Sequence, residues 1–228
     1  MRTIRAALMP SDSFYKQVPN ALTIARAVLA CVFFWMLAYW PYQPARPAVT
    51  YLNVALVIYV IATFTDAVDG YLARRWNATS TFGRIVDPLV DKILVLGSFV
   101  YFAGPSFVDL SGARPTTLTG VTPTVVVILL VREFLVTGLR SVAEAGGKKF
   151  GAAWSGKIKM ILQCVTIGVI LAYVNYHPVL RETGYESAAR IVRDLCVWGT
   201  VIVTLISGGL YVRRALLLSS GSSSADNT

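Results

Sequence analysis

The chain has 228 residues, 55% of them hydrophobic and only 14% charged, with a mean hydropathy of +0.60 and a net charge of +9. An ordinary soluble domain carries about a quarter charged residues, so composition excludes a water-soluble enzyme and a disordered chain alike and points to a membrane protein.

A helix needs about 20 apolar residues to cross a bilayer core, and six runs approach that length. In chain order they cover about Ala21 to Trp40, Val49 to Leu72, Ile85 to Ala103, Thr124 to Val142, Trp154 to Tyr173 and Leu195 to Val212. The runs are long and unbroken, whereas membrane barrels show segments of about ten residues with alternating polarity. The expected fold is therefore all-α, an integral membrane bundle of about six transmembrane helices. One domain is expected over residues 1–218, followed by a disordered Ser-rich tail at 219–228. A secretory leader would also place Arg2, Arg5 and Lys16 before an apolar run, but about 20 residues exceeds the usual leader core.

Basic residues set the expected orientation. Arg46, Arg114, Arg181, Arg190 and Arg193 fall on one side, and the rest of the 21 Lys and Arg on the other, together with both termini. The positive-inside rule makes that second side cytoplasmic. Its excess charge also attracts anionic headgroups and phosphorylated molecules. Cys31, Cys164 and Cys196 stand singly in or beside apolar runs, without the spacing of a metal site or a disulfide framework.

Four acids, Asp66, Asp69, Asp87 and Asp91, crowd the meeting point of the second and third runs. In a helix, Asp66, Asp69 and Ala73 share one face at steps of three and four, as do Gly83, Asp87 and Asp91 at steps of four. Carboxylates this close repel one another at a membrane boundary, and hard divalent cations with oxygen ligands compensate them best. Ion pairs with Arg74, Arg75, Arg84 and Lys92 are the structural alternative. Gly70 and Gly83 let a ligand approach the helix backbones, Ala73 keeps the face shallow, and Arg74 can grip a phosphate.

The full spacing, D-x2-D-G-x2-A-R-x8-G-x3-D-x3-D from Asp66 to Asp91, fills all eight fixed positions of the CDP-alcohol phosphotransferase signature and resembles that family without departure. The resemblance implies that Asp66, Asp69 and Asp87 ligate metal over the pyrophosphate of a CDP-linked lipid. Asp91 would lie near the metals and act as general base. Near the start of the first run, Asn20, Thr23 and Arg26 share a helical face and resemble the family's N-x2-T-x2-R element. Asn20 and Thr23 are assigned to the CDP-lipid side with Asp69, Gly70, Ala73, Arg74 and Gly83. Standing alone, the same residues read as a helix start, with Arg26 reaching to the interface. Magnesium or manganese is the expected cofactor, because the acidic stretch supplies no Cys or His and the single His177 lies on the opposite side.

Arg132 and Glu133 lie about 14 Å down the fourth run at 1.5 Å per residue, a depth at which charge requires a cavity. Arg132 and Arg140 return near one face after two turns, and Lys157 and Lys159 follow in the next run. Arg132, Arg140 and Lys157 are the candidate acceptor phosphate site, with Glu133 orienting Arg132 or closing the site. Lys148 and Lys149 read as a solvated loop. The stretches from Arg132 to Arg140 and from Trp154 to Lys159 look like the bacterial phosphatidylglycerophosphate synthases within the family.

The resemblance thus implies transfer of a phosphatidyl group from CDP-diacylglycerol to sn-glycerol 3-phosphate in a bacterial inner membrane, by a homodimer with its active site facing the cytoplasm. Membrane lipid is an expected partner and nucleic acid is not. Inositol phosphate, serine or phosphatidylglycerol are the alternative acceptors within the family. A divalent cation transporter is the alternative outside it.

Overall fold

Residues 12–40, 49–76, 81–109, 116–146 and 154–220 are described by the computed structural model. Within them, the side chains of 12–20, 49, 66–76, 81–85, 87, 88, 155 and 218–220 lie outside the described residues. Six long helices occur among the described residues: α1 (Asp12–Ala38), α2 (Val49–Trp76), α3 (Thr81–Phe102), α4 (Pro123–Ala145), α5 (Trp154–Glu182) and α6 (Glu186–Ser220). The protein is all-α, as its apolar runs require. Among the described residues, a two-residue antiparallel ladder, β1 (Val108–Asp109) with β2 (Thr116–Thr117), lies between α3 and α4.

The helices outrun the apolar stretches. Helix α1 begins at Asp12, ahead of the first run, and α6 begins at Glu186, ahead of Leu195, while α5 continues past Tyr173 to Glu182. Hydrophobicity marks only where a helix is apolar enough for lipid, whereas backbone hydrogen bonding carries it on into polar sequence. Three stretches, Ala21–Ala38, Gly156–Glu182 and Glu186–Leu217, are long and apolar enough to cross a membrane, and Thr50–Thr65 is a shorter apolar helix. Large apolar side chains such as Phe64, Phe134, Ile161, Leu195 and Ile206 stand exposed, an apolar surface that a water-soluble monomer does not carry. Several hydroxyls on the helices bond locally: Thr65, Ser98, Thr137 and Thr183 each donate to the carbonyl four residues earlier.

The chain divides into two compact units, one comprising residues 1–41 and 48–101 and the other 42–47 and 102–228. In the first unit, Phe33, Leu37, Leu52, Ala55, Tyr59 and Ala62 are buried between α1 and α2. The Tyr51 hydroxyl donates to the Met36 carbonyl at 3.1 Å. Helix α3 packs on α1 through Phe34, which stacks on Tyr101 at 5.4 Å between centroids. Gly97 makes this approach possible: a Cβ there would lie 2.5 Å from Phe34 Cζ.

In the second unit, α6 packs against both α4 and α5. Ile167, Ile170, Leu171, Val174, Val197 and Val201 form its apolar interior. A polar seam runs beside them, with Thr166 Oγ1 and Thr200 Oγ1 at 2.8 Å. Helix α4 starts on Thr122, whose hydroxyl accepts from the Val125 N–H, and has Pro123 in its first turn, where no donor is lost. Helices α5 and α6 are joined by a tight turn at Gly184, whose φ of 78° favours glycine. Arg193, buried in α6, donates to the Leu118 carbonyl at 2.6 Å and lies 4.7 Å from the Tyr173 ring centroid. It thereby ties the segment after β2 to α5 and α6.

Candidate active site

The four aspartates fall on two helices of one unit. Asp66 and Asp69, with Gly70, Ala73 and Arg74, occupy the last three turns of α2, and Gly83, Asp87 and Asp91 occupy the first three turns of α3. The expected helical spacing is therefore present in the backbone, with Asp66 and Asp69 three apart and Asp87 and Asp91 four apart. The side chains of Asp66, Asp69, Gly70, Ala73, Arg74, Gly83 and Asp87, and that of Asn20, lie outside the described residues. Among the described residues no group of three His, Cys, Asp or Glu is placed to hold a metal.

Asp91 is described, and its neighbour is informative. Arg26 Nη1 lies 2.5 Å from Asp91 Oδ1, and the Arg26 side chain is completely buried. Sequence alone suggested that Arg26 could reach toward the interface; the structure instead seats it inside the first unit against the acid. Thr23, one turn earlier on α1, is also buried. A buried guanidinium requires charged or hydrogen-bonding partners, and the candidate base is one of them here.

The basic residues of the second unit form a separate cluster. Arg132 on α4 is buried; its Nη2 donates to Ser207 Oγ at 2.7 Å and its Nη1 to Glu133 Oε2 at 3.1 Å. Lys159 on α5, also buried, donates to the same Glu133 oxygen. Arg140 Nη2 donates to the Tyr211 hydroxyl at 3.4 Å. The guanidinium carbons of Arg132 and Arg140 each lie 5.9 Å from the Tyr211 ring centroid. Lys157 points elsewhere: it is exposed, with Nζ 5.2 Å from the Trp154 ring centroid. The structure thus brings Arg132 and Arg140 together around Tyr211, ties Lys159 to Glu133, and sets Lys157 over Trp154.

Ser207 and Tyr211 were not legible as site residues. They lie 75 and 71 positions from their arginine partners and carry no motif spacing of their own. Their one sequence signal is the four-residue step that places both on one face of an apolar helix.

The family model for CDP-alcohol phosphatidyltransferase matches residues 16–206. The chain belongs to the CDP-alcohol phosphatidyltransferase family. It is 31% identical over 204 residues to a CDP-diacylglycerol–glycerol-3-phosphate 3-phosphatidyltransferase of Bacillus subtilis, covering 86% of this chain and 94% of that protein. A protein of the same name from Haemophilus influenzae is 33% identical over 162 residues, 70% of this chain and 78% of that one. A probable phosphatidylglycerophosphate synthase of Mycobacterium tuberculosis is 33% identical over 199 residues, 86% of this chain and 80% of that one. The family match runs through both acidic helices and through the Arg132–Glu133–Lys159 cluster.

Proposed function

We propose that this family member transfers the phosphatidyl group of CDP-diacylglycerol to sn-glycerol 3-phosphate, forming phosphatidylglycerophosphate and CMP. The observation that carries the choice of acceptor is the burial of Arg132 in an apolar helix, sharing one tyrosine with Arg140. Guanidinium groups suit bidentate binding of a phosphate, and a neutral alcohol would not call for them. The names of the relatives support the same acceptor.

Arg132 and Arg140 hold the acceptor phosphate, and Lys157, over the Trp154 ring, adds only an outlying positive charge to that site. Asn20, Thr23, Asp69, Gly70, Ala73, Arg74 and Gly83 hold the CDP-lipid. The primary hydroxyl of glycerol 3-phosphate attacks the lipid-side phosphorus, its proton passes to the Asp91 carboxylate, and the bond from that phosphorus to the oxygen of CMP breaks. An alcohol is a poor nucleophile until its proton is removed, so a carboxylate within hydrogen-bond reach is required. Arg26 holds that carboxylate in one orientation through the 2.5 Å contact.

Asp66, Asp69, Asp87 and Asp91 offer only carboxylate oxygens, at helical steps that put each pair on one face, a donor set that fits magnesium or manganese. Such an ion, when bound, neutralises pyrophosphate charge and stabilises the leaving oxygen. The remaining parts of the proposal are a single catalytic domain over residues 1–218 with a short tail at 219–228, a homodimer, and a bacterial inner membrane with both termini and the active site on the cytoplasmic side. Membership in a family of transferases leaves the cation-transporter alternative without support.

The test is product identification with purified protein and CDP-diacylglycerol, comparing glycerol 3-phosphate with inositol phosphate, serine and phosphatidylglycerol. CMP release with glycerol 3-phosphate at least about tenfold faster than with the others is expected, tenfold being about 1.4 kcal/mol of discrimination. Preference for another acceptor overturns the reading.

A further inference from the structure

Arg132 and Arg140 are eight residues apart on α4, so their Cα atoms are separated by about 12 Å along the helix axis at 1.5 Å per residue. Their guanidinium carbons nevertheless lie at the same 5.9 Å from one ring centroid. The two side chains therefore converge on Tyr211, which is buried and comes from a different helix, α6. The negative face of an aromatic ring attracts cations, so this one ring helps to set where both guanidiniums lie.

The same face of α6 supplies the rest of the cradle. Ser207, one turn before Tyr211, accepts from Arg132 at 2.7 Å. A Cβ at Gly208 would lie 3.1 Å from Arg132 Cγ, so the bare backbone there lets the arginine stem pass. A Cβ at Gly156 of α5 would lie 3.5 Å from the Tyr211 oxygen. Tyr211 of α6 thus meets both α4 and α5, with its hydroxyl accepting from Arg140 at 3.4 Å.

Among the described residues that these contacts join, Arg132, Arg140 and Lys159 carry two more positive charges than Glu133 carries negative, matching a phosphate monoester dianion. Among the described residues, the buried Nε atoms of Arg132 and Arg140 have no hydrogen-bond partner. We propose that Tyr211 is the positioning residue that fixes the distance between the Arg132 and Arg140 guanidiniums and thereby makes a phosphate monoester the acceptor. This inference rests on the reading of the cluster as the acceptor phosphate site. It adds that the site's geometry is set from α6, by a residue that need not touch the substrate.

The experiment uses the full chain in detergent with CDP-diacylglycerol, glycerol 3-phosphate, and inorganic phosphate as a competing anion. Tyr211→Phe keeps the ring and removes the hydroxyl; it should raise KM for glycerol 3-phosphate and Ki for inorganic phosphate together, by about fivefold, the worth of one such hydrogen bond. Tyr211→Leu removes the ring as well and should raise both by about 30-fold. KM for CDP-diacylglycerol and kcat should stay within about twofold, a split that a general loss of packing does not produce. If Tyr211→Leu loses its thermal transition, Tyr211→Phe decides alone. An Arg132→Ala control separates the two levels of the argument. Should Arg132→Ala raise both constants while neither Tyr211 variant does, or should Tyr211→Phe raise the lipid KM equally, the positioning role is overturned and the acceptor site stands. Should Arg132→Ala leave both constants unchanged, the acceptor site itself is overturned.

Discussion

Arg26 on α1 and Asp91 on α3 are 65 residues apart in sequence and meet at 2.5 Å between Nη1 and Oδ1. The arginine is wholly buried, and the aspartate is about a quarter exposed. Removing Arg26 takes away a charge-assisted contact of Asp91 at a partly buried position, which costs about 1.5 to 3 kcal/mol. Arg26→Ala should therefore lower the thermal midpoint in detergent and cut CMP release by about a hundredfold. Arg26→Lys should recover part of the stability but less of the activity, because an ammonium cannot reproduce the planar fork that orients a carboxylate. Equal recovery of both would show that the pair is only structural.

Asp91→Asn keeps the shape of the side chain and removes its capacity to accept a proton. General bases contribute about 10²- to 10⁴-fold, and a loss of turnover in that range is expected, with CDP-diacylglycerol binding retained. Binding can be followed by thermal stabilisation on adding the lipid substrate. Appreciable turnover in the variant would remove Asp91 from the role of base.

A carboxylate-only donor set also predicts which ions restore a stripped enzyme. Chelation should abolish CMP release, and magnesium or manganese should restore it. Zinc, which favours nitrogen and sulfur ligands, should restore less. Asp66→Ala and Asp69→Ala should each weaken the stabilisation of the protein by manganese, read as a shift of thermal midpoint without substrate. Unchanged manganese stabilisation in both variants would place the metal elsewhere.

These expectations divide according to what a sequence can encode locally. The signature from Asp66 to Asp91 is a matter of spacing along two adjacent helices, so the family was legible before any coordinates. Helix number was legible too, because long apolar runs allow few other structures in lipid. Helix ends were not, since α5 and α6 continue into polar sequence that hydropathy does not distinguish from loop. Partnerships across distance were the least accessible. Arg26 shares a helical face with Thr23, which suggested a site, but nothing local in the sequence pointed to Asp91 as its partner. Nor did any spacing single out Tyr211, because an aromatic residue in an apolar helix carries no mark of what it holds.

The three residues assigned to the acceptor phosphate differ in how the structure holds them, and their variants should differ accordingly. Arg132 is buried and bonded to both Ser207 and Glu133, so Arg132→Ala should raise KM for glycerol 3-phosphate by about a hundredfold or more, the worth of two charge-assisted contacts. It should also lower stability, since Glu133 would keep only Lys159 of the two cations that now share its Oε2 oxygen. Lys157 is exposed over the Trp154 ring, where its charge is screened by water and salt. Lys157→Ala should raise the same KM by only about two- to fivefold, as for one solvent-screened charge worth about 0.5 to 1 kcal/mol, and salt should mask that difference. Titrating glycerol 3-phosphate against each variant at low and high ionic strength checks both claims. A Lys157→Ala effect as large as that of Arg132→Ala, and insensitive to salt, would mean that Lys157 leaves Trp154 and enters the phosphate site when the acceptor binds.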